Sequence, residues 1–142
     1  MHEHIKDVTR RFAKEGFLSI TFEPYAREGG VLHMPDIASV LKVANSVPDE
    51  RVMGDLDAIV AYVKQHPAGR ADRVGITGFC RGGMYTLLYT AHNREVKAAV
   101  AWYGQLRPER HLVYAQPVHS TLPDRSTRLS WVFMAKRMWA FQ

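Results

Sequence analysis

The sequence has too little cysteine for an internal disulfide: Cys80 stands alone among 142 residues. That excludes a disulfide scaffold and suits a reducing compartment. No apolar run reaches the roughly 18 residues that a membrane span needs. The opening Met1-His2-Glu3-His4 leads directly into a charged amphipathic stretch and carries no signal-peptide pattern. A soluble, cytoplasmic chain is expected. Metal-ligand spacing is missing as well. His2, Glu3 and His4 have no third ligand at zinc-like spacing, so no metal is expected. There is no internal repeat and no low-complexity segment.

Charge of one sign is also scarce where it would matter. The formal net charge is +5, but residues 105–142 hold six Lys/Arg (Arg107, Arg110, Arg125, Arg128, Lys136, Arg137) against Glu109 and Asp124. The basicity therefore belongs to the tail, and the first 104 residues are nearly neutral. The tail shows no zinc spacing, no glycine-aromatic RNA signature and no groove-binding helix, so nucleic acid is not an expected partner.

What is present reads as alternating elements. Ile5, Val8 and Phe12 recur at helical spacing, with Gly16 as a stop. Phe17 to Phe22, FLSITF, is rich in strand formers and closes at Pro24, which predicts a strand. Residues 26–34, with Gly29-Gly30, read as a loop. A short helix starts near Pro35-Asp36. The next helix is lined by Val52, Leu56, Ile59, Val60 and Val63, with Pro48 suited to its first turn and Asp49 and Glu50 favourable to its dipole. Val74 to Thr77 is a compact strand, a helix follows from about Gly82 to His92, and Val96 to Tyr103 is another apolar strand. This rhythm predicts an α/β fold with a parallel sheet flanked by helices.

One motif carries chemistry. Gly78-Phe79-Cys80-Arg81-Gly82 sits between a predicted strand and a predicted helix. A nucleophile elbow belongs there: a sharp, strained turn that lifts the reactive side chain above the sheet edge. Strand and helix then approach closely, and Gly78 and Gly82 are expected to stand where no β-carbon fits, with Gly83 easing the packing further. The helix N-terminus favours negative charge at Cys80, and the Arg81 backbone N–H is the expected oxyanion donor. Two simpler readings compete. A lone cysteine is more often a small buried hydrophobe. A glycine-rich strand-to-helix turn can also cradle a dinucleotide, and Thr77 to Met84 nearly matches such a turn. That pattern fails because Met84 replaces its last glycine and no Tyr-x-x-x-Lys pair exists in the chain.

The stretch Val74 to Met84, VGITGFCRGGM, with Ala98 to Gly104, AAVAWYG, and the upstream Phe22 to Arg27, FEPYAR, resembles the dienelactone hydrolase family. The resemblance spans about residues 2–106. It implies a partial α/β-hydrolase fold that lacks N-terminal strands and C-terminal βα units. It also implies hydrolysis of a lactone or ester through a cysteine acyl-enzyme, as in bacterial breakdown of chlorinated aromatics, with no cofactor and no metal. By the same resemblance Cys80 is the nucleophile and Arg27 binds a substrate carboxylate, a task that suits a planar two-pronged donor.

The sequence departs from the family at both ends. Family members carry a histidine base and an aspartate well beyond the nucleophile, yet His92, His111, His119 and Asp124 occupy no family-like setting. The base and acid of the triad are therefore assigned to no residue. The family's early strands and a glutamate near the resting thiol have no counterpart either. Residues 1–106 read as the family-like α/β segment, and 107–142 as an atypical basic tail, frame-shifted or divergent. A hydrolase by lineage, impaired in this chain, is the leading expectation. The alternatives are a small α/β thiol protein, redox-active or acyl-accepting, and a non-catalytic fragment. The oligomeric state is left open.

Overall fold

A computed structural model describes residues 2–106 of the chain. The predicted basic tail, with His111, His119 and Asp124, lies outside the described residues. The chain divides at Ala71–Asp72 into two units.

The first unit is helical. Helix α1 (Glu3–Lys14) follows the Ile5–Val8–Phe12 spacing, with Glu3 in its first turn and Arg11 and Lys14 in its last, the signs its dipole favours. Surface pairs Lys6–Glu3 (2.6 Å) and Arg11–Asp7 (2.7 Å) run along it. Gly16, at φ 86°, turns the chain out of the helix. Phe17 then returns to meet Phe12 edge-on, with ring centroids 6.0 Å apart. Helix α2 (Ile37–Ser46) begins at Asp36, whose carboxylate accepts the Ser39 N–H at 2.7 Å. Helix α3 (Asp49–Gln65) starts one residue after Pro48, so the proline caps the helix from outside the first turn. Its buried residues include Val52, Met53 and Val60.

Phe17 to Phe22 does not form the expected strand. Its residues favour extended backbone, but a strand is completed by a ladder to a neighbour. None of the described residues pairs with this segment. Phe17 is nonetheless buried, so the apolar character that suggested a strand is used in packing instead.

The second unit is a βαβ unit. Strand β1 (Val74–Phe79), helix α4 (Arg81–His92) and strand β2 (Val96–Trp102) follow one another directly. The two strands pair in parallel, from Gly75 opposite Ala98 to Phe79 opposite Trp102. A parallel pair needs a crossover, and α4 supplies it. The helix buries Gly83, Met84, Tyr85, Thr86, Leu88 and Tyr89, and Val74 and Val100 are buried on the strands. The α/β reading and the parallel register therefore hold. No helix among the described residues is long and apolar enough to cross a membrane.

Candidate active site

Cys80 joins β1 to α4 in one residue, and its backbone shows what that demands. Its φ of 52° and ψ of −116° lie outside the regions that L-residues favour. A residue held this way costs on the order of 1–3 kcal/mol and persists only where its surroundings fix it. Here they do so from both sides. The Cys80 N–H donates to the Trp102 carbonyl on β2 at 2.9 Å, and the Cys80 carbonyl accepts the Met84 N–H of α4 at 3.0 Å. The thiol is exposed. The cysteine is therefore not the small buried hydrophobe that competed with the reactive reading. Arg81 opens α4, so its N–H belongs to the turn whose amides point out of the helix's positive end. Its guanidinium carbon lies 6.0 Å from the centre of the Tyr85 ring.

The glycines divide differently from the sequence expectation. A β-carbon on Gly78 would run into the backbone of Gly82, so that position requires glycine. A β-carbon on Gly82 would meet nothing, because it points into open space. The close approach of the Gly82 backbone is permitted by the missing β-carbon of Gly78, not by its own. The second close approach is made by Gly83 and by Gly104, which follows β2. A β-carbon on Gly83 would stand 2.7 Å from the Trp102 carbonyl oxygen and 3.0 Å from Gly104 Cα. Gly104 lies outside the five-residue motif, and only the parallel pairing brings it to the helix.

Thr77 and an aromatic group fix the end of β2. The Thr77 hydroxyl donates to the Val100 carbonyl at 3.0 Å and accepts from the Trp102 indole at 3.1 Å. The Trp102 ring in turn stacks on Phe79, 20° from parallel with centroids 5.8 Å apart. The carbonyl that receives the Cys80 N–H therefore belongs to a residue whose side chain is itself held.

Arg27 belongs to the first unit. It lies in a single 3-10 turn, Ala26–Glu28, followed by Gly29 and Gly30, both at positive φ. Its guanidinium makes a two-pronged pair with Asp55, at 2.8 Å from Nη1 and 2.7 Å from Nη2. Glu28 pairs with Arg51 at 2.7 Å. Residues 51 and 55 sit one helical turn apart on α3, so the turn is clamped to one face of that helix. The sequence reading missed both pairs. Their only signal was two adjacent residues of opposite sign in the loop and two more at helical spacing. Phe22, Glu23, Ala26, Arg27, Asp55 and Ile59 line an open groove of about 350 Å³ beside the pair.

Hydrogen bonding to Arg27 is the main influence holding the Asp55 carboxyl below the usual aspartate range. Asp55 raises Arg27 in turn. The pair's contribution to stability is therefore present above the ordinary aspartate pKa of about 3.9 and disappears as pH falls through the lowered value. In Arg27→Ala, the Asp55 midpoint should rise toward the ordinary range, read by NMR titration of its carboxyl carbon. An unmoved midpoint would show that the pair does not persist in solution.

No group of three or more His, Cys, Asp or Glu side chains among the described residues is arranged to hold a metal ion.

Known proteins match this arrangement. The family model for the dienelactone hydrolase family matches residues 1–123. A protein of Methylorubrum extorquens, provisionally named a carboxymethylenebutenolidase, is 54% identical over 109 residues, covering 75% of this chain and 37% of the relative. An Escherichia coli protein with the same provisional name is 46% identical over 113 residues, covering 79% of this chain and 41% of its own. A Bradyrhizobium protein provisionally named 2-oxo-3-(5-oxofuran-2-ylidene)propanoate lactonase is 38% identical over 109 residues, covering 75% of this chain and 42% of its own. The crystal structure of a provisionally named dienelactone hydrolase from Klebsiella pneumoniae superposes with a TM-score of 0.71 at 48% identity, covering 75% of this chain and 44% of that one. The chain thus spans about two fifths of the length of the curated relatives it matches. With the strained Cys80 turn, the parallel βαβ unit and the matched span all in agreement, the chain belongs to the dienelactone hydrolase family.

Proposed function

We propose that this chain carries the nucleophile-bearing part of a lactone or ester hydrolase, with Cys80 as the attacking group. The observation that carries this reading is the conformation of Cys80: exposed, at φ 52°, at the N-terminus of α4. In the proposed step the Cys80 thiolate attacks the carbonyl carbon and a C–S bond forms. The negative charge that develops on the carbonyl oxygen faces the amides opening α4, the Arg81 N–H foremost. Collapse breaks the ester C–O bond, and the leaving oxygen takes a proton. Water then cleaves the thioester, which releases the acid and restores the thiol. No metal or cofactor enters these steps.

Arg27 is proposed to receive a substrate carboxylate. Its pairing with Asp55 engages two of five N–H donors and leaves further edges of the guanidinium for a second carboxylate. The names of the relatives support a lactone as the substrate class, and the lone thiol supports a reducing, cytoplasmic setting.

The test is acyl transfer. Incubating the chain with an activated aryl ester should release one equivalent of phenol rapidly and leave the matching acyl mass on the peptide that holds Cys80. Cys80→Ala should abolish both. A burst that survives Cys80→Ala, or an adduct on another residue, would remove the proposal's basis. In the same assay Arg27→Ala should slow reaction with anionic lactones far more than with neutral esters.

A further inference from the structure

We infer that Gly104 is a positioning residue for Cys80, acting through its contact with Gly83. The inference rests on the reading of Cys80 as the nucleophile and adds a residue a helix and a strand away from it in the chain.

Two hydrogen bonds hold Cys80 at φ 52°: its N–H to the Trp102 carbonyl, and the Met84 N–H to its own carbonyl. The Gly83–Gly104 contact borders one atom of each bond, the Trp102 oxygen and the Met84 nitrogen. A β-carbon on Gly83 would press to 2.7 Å from the Trp102 oxygen, the acceptor of the first bond. A β-carbon on Gly104 would overlap the Met84 nitrogen, the donor of the second, and stand 2.8 Å from the Gly83 oxygen. Either added carbon displaces an atom that fixes the nucleophile. The chain reaches this position through a second unusual residue, since Tyr103 at φ 42° turns Gly104 onto the first turn of α4. By contrast, Gly82, inside the motif itself, faces open space.

A strained conformation lasts only while its surroundings over-determine it. Loosening either bond lets Cys80 relax toward negative φ, which swings Sγ away from the carbonyl it must attack. A misplacement of about 1 Å at a reacting centre can cost about 10²-fold in rate.

The test uses the full chain with Gly104→Ala, Gly83→Ala and Leu88→Ala. Leu88 is buried on α4 at 2% exposure and makes no part of the clamp. Rates of Cys80 acylation by p-nitrophenyl acetate and of alkylation by iodoacetamide are measured across pH, beside helical circular dichroism. Both glycine variants should keep their helical signal and lose about 10- to 100-fold in acylation, with a much smaller change in alkylation. Leu88→Ala should stay within about twofold in acylation while folded, since its lesion is one of packing. Acylation by Gly104→Ala within about twofold of the parent would overturn the inference. So would loss of the fold in both glycine variants, because the contact would then serve folding alone. A parent chain that takes no acyl group on Cys80 would sink the nucleophile reading instead. The clamp would then be judged by hydrogen exchange at the Cys80 and Met84 amides, whose protection Gly104→Ala should lower at least about tenfold.

Discussion

Gly78→Ala should destabilise the βαβ unit strongly, while Gly82→Ala should be nearly silent. The two glycines look equivalent in the motif, but they face different surroundings. The new carbon at position 78 would meet the carbonyl carbon, carbonyl oxygen and Cα of Gly82. These are backbone atoms of the first turn of α4 and cannot rotate aside. Overpacking ordinarily costs about 1–3 kcal/mol, sometimes more. An obstacle made of backbone belongs at the upper end of that range. At position 82 the added carbon meets nothing. Alanine is also the better helix former by up to about 1 kcal/mol, so the change there should be within about 1 kcal/mol of neutral. Urea denaturation reads the difference as a shift of midpoint at constant slope. A Gly78→Ala chain as stable as Gly82→Ala would show that strand and helix can separate at the elbow without cost.

Tyr89→Ala should match or exceed that loss for a different reason. Its ring, 1% exposed, lies among the largest fully buried side chains of the molecule. Removing a buried aromatic side chain costs about 3–5 kcal/mol through lost burial and the cavity left behind. The hydroxyl has a separate duty. It accepts the Asn93 side-chain amide at 2.9 Å, and the Asn93 carbonyl oxygen Oδ1 accepts the Glu95 N–H at 2.9 Å. That short relay shapes the turn from α4 into β2. Tyr89→Phe keeps the ring and removes the hydroxyl with its bond to Asn93, so it should cost about 1 kcal/mol. Comparable losses for both variants would place the residue's value in the hydroxyl rather than in packing.

The parts of the fold legible in the sequence were those with a local cause. Helix α1 was marked by the spacing of Ile5, Val8 and Phe12 and ended at Gly16, and α2 was marked by its start near Pro35-Asp36. The elbow was legible because Gly78 must be glycine whatever the rest of the chain does. Elements with a non-local cause were not legible. FLSITF was read as a strand from propensity alone, which says nothing about a hydrogen-bonding neighbour. Gly82 was given the role of refusing a β-carbon, when the parallel pairing assigns that role to Gly83 and Gly104. Arg27 was read as a carboxylate binder without its Asp55 partner, because an ion pair between residues 28 apart in the chain leaves little trace in one sequence.

The backbone angle at Cys80 has a stereochemical consequence. A φ of 52° with ψ of −116° is comfortable for a mirror-image residue. D-cysteine built in by chemical synthesis would relax the turn, yet it would exchange Cβ with Hα and send the sulfur off in another direction. Glycine would relax it too and carry no sulfur at all. Within natural amino acids, the direction of the thiol and the unfavourable backbone come from the same chiral centre and cannot be separated. The handedness of one carbon thus ties the strain to the placement of the reactive atom.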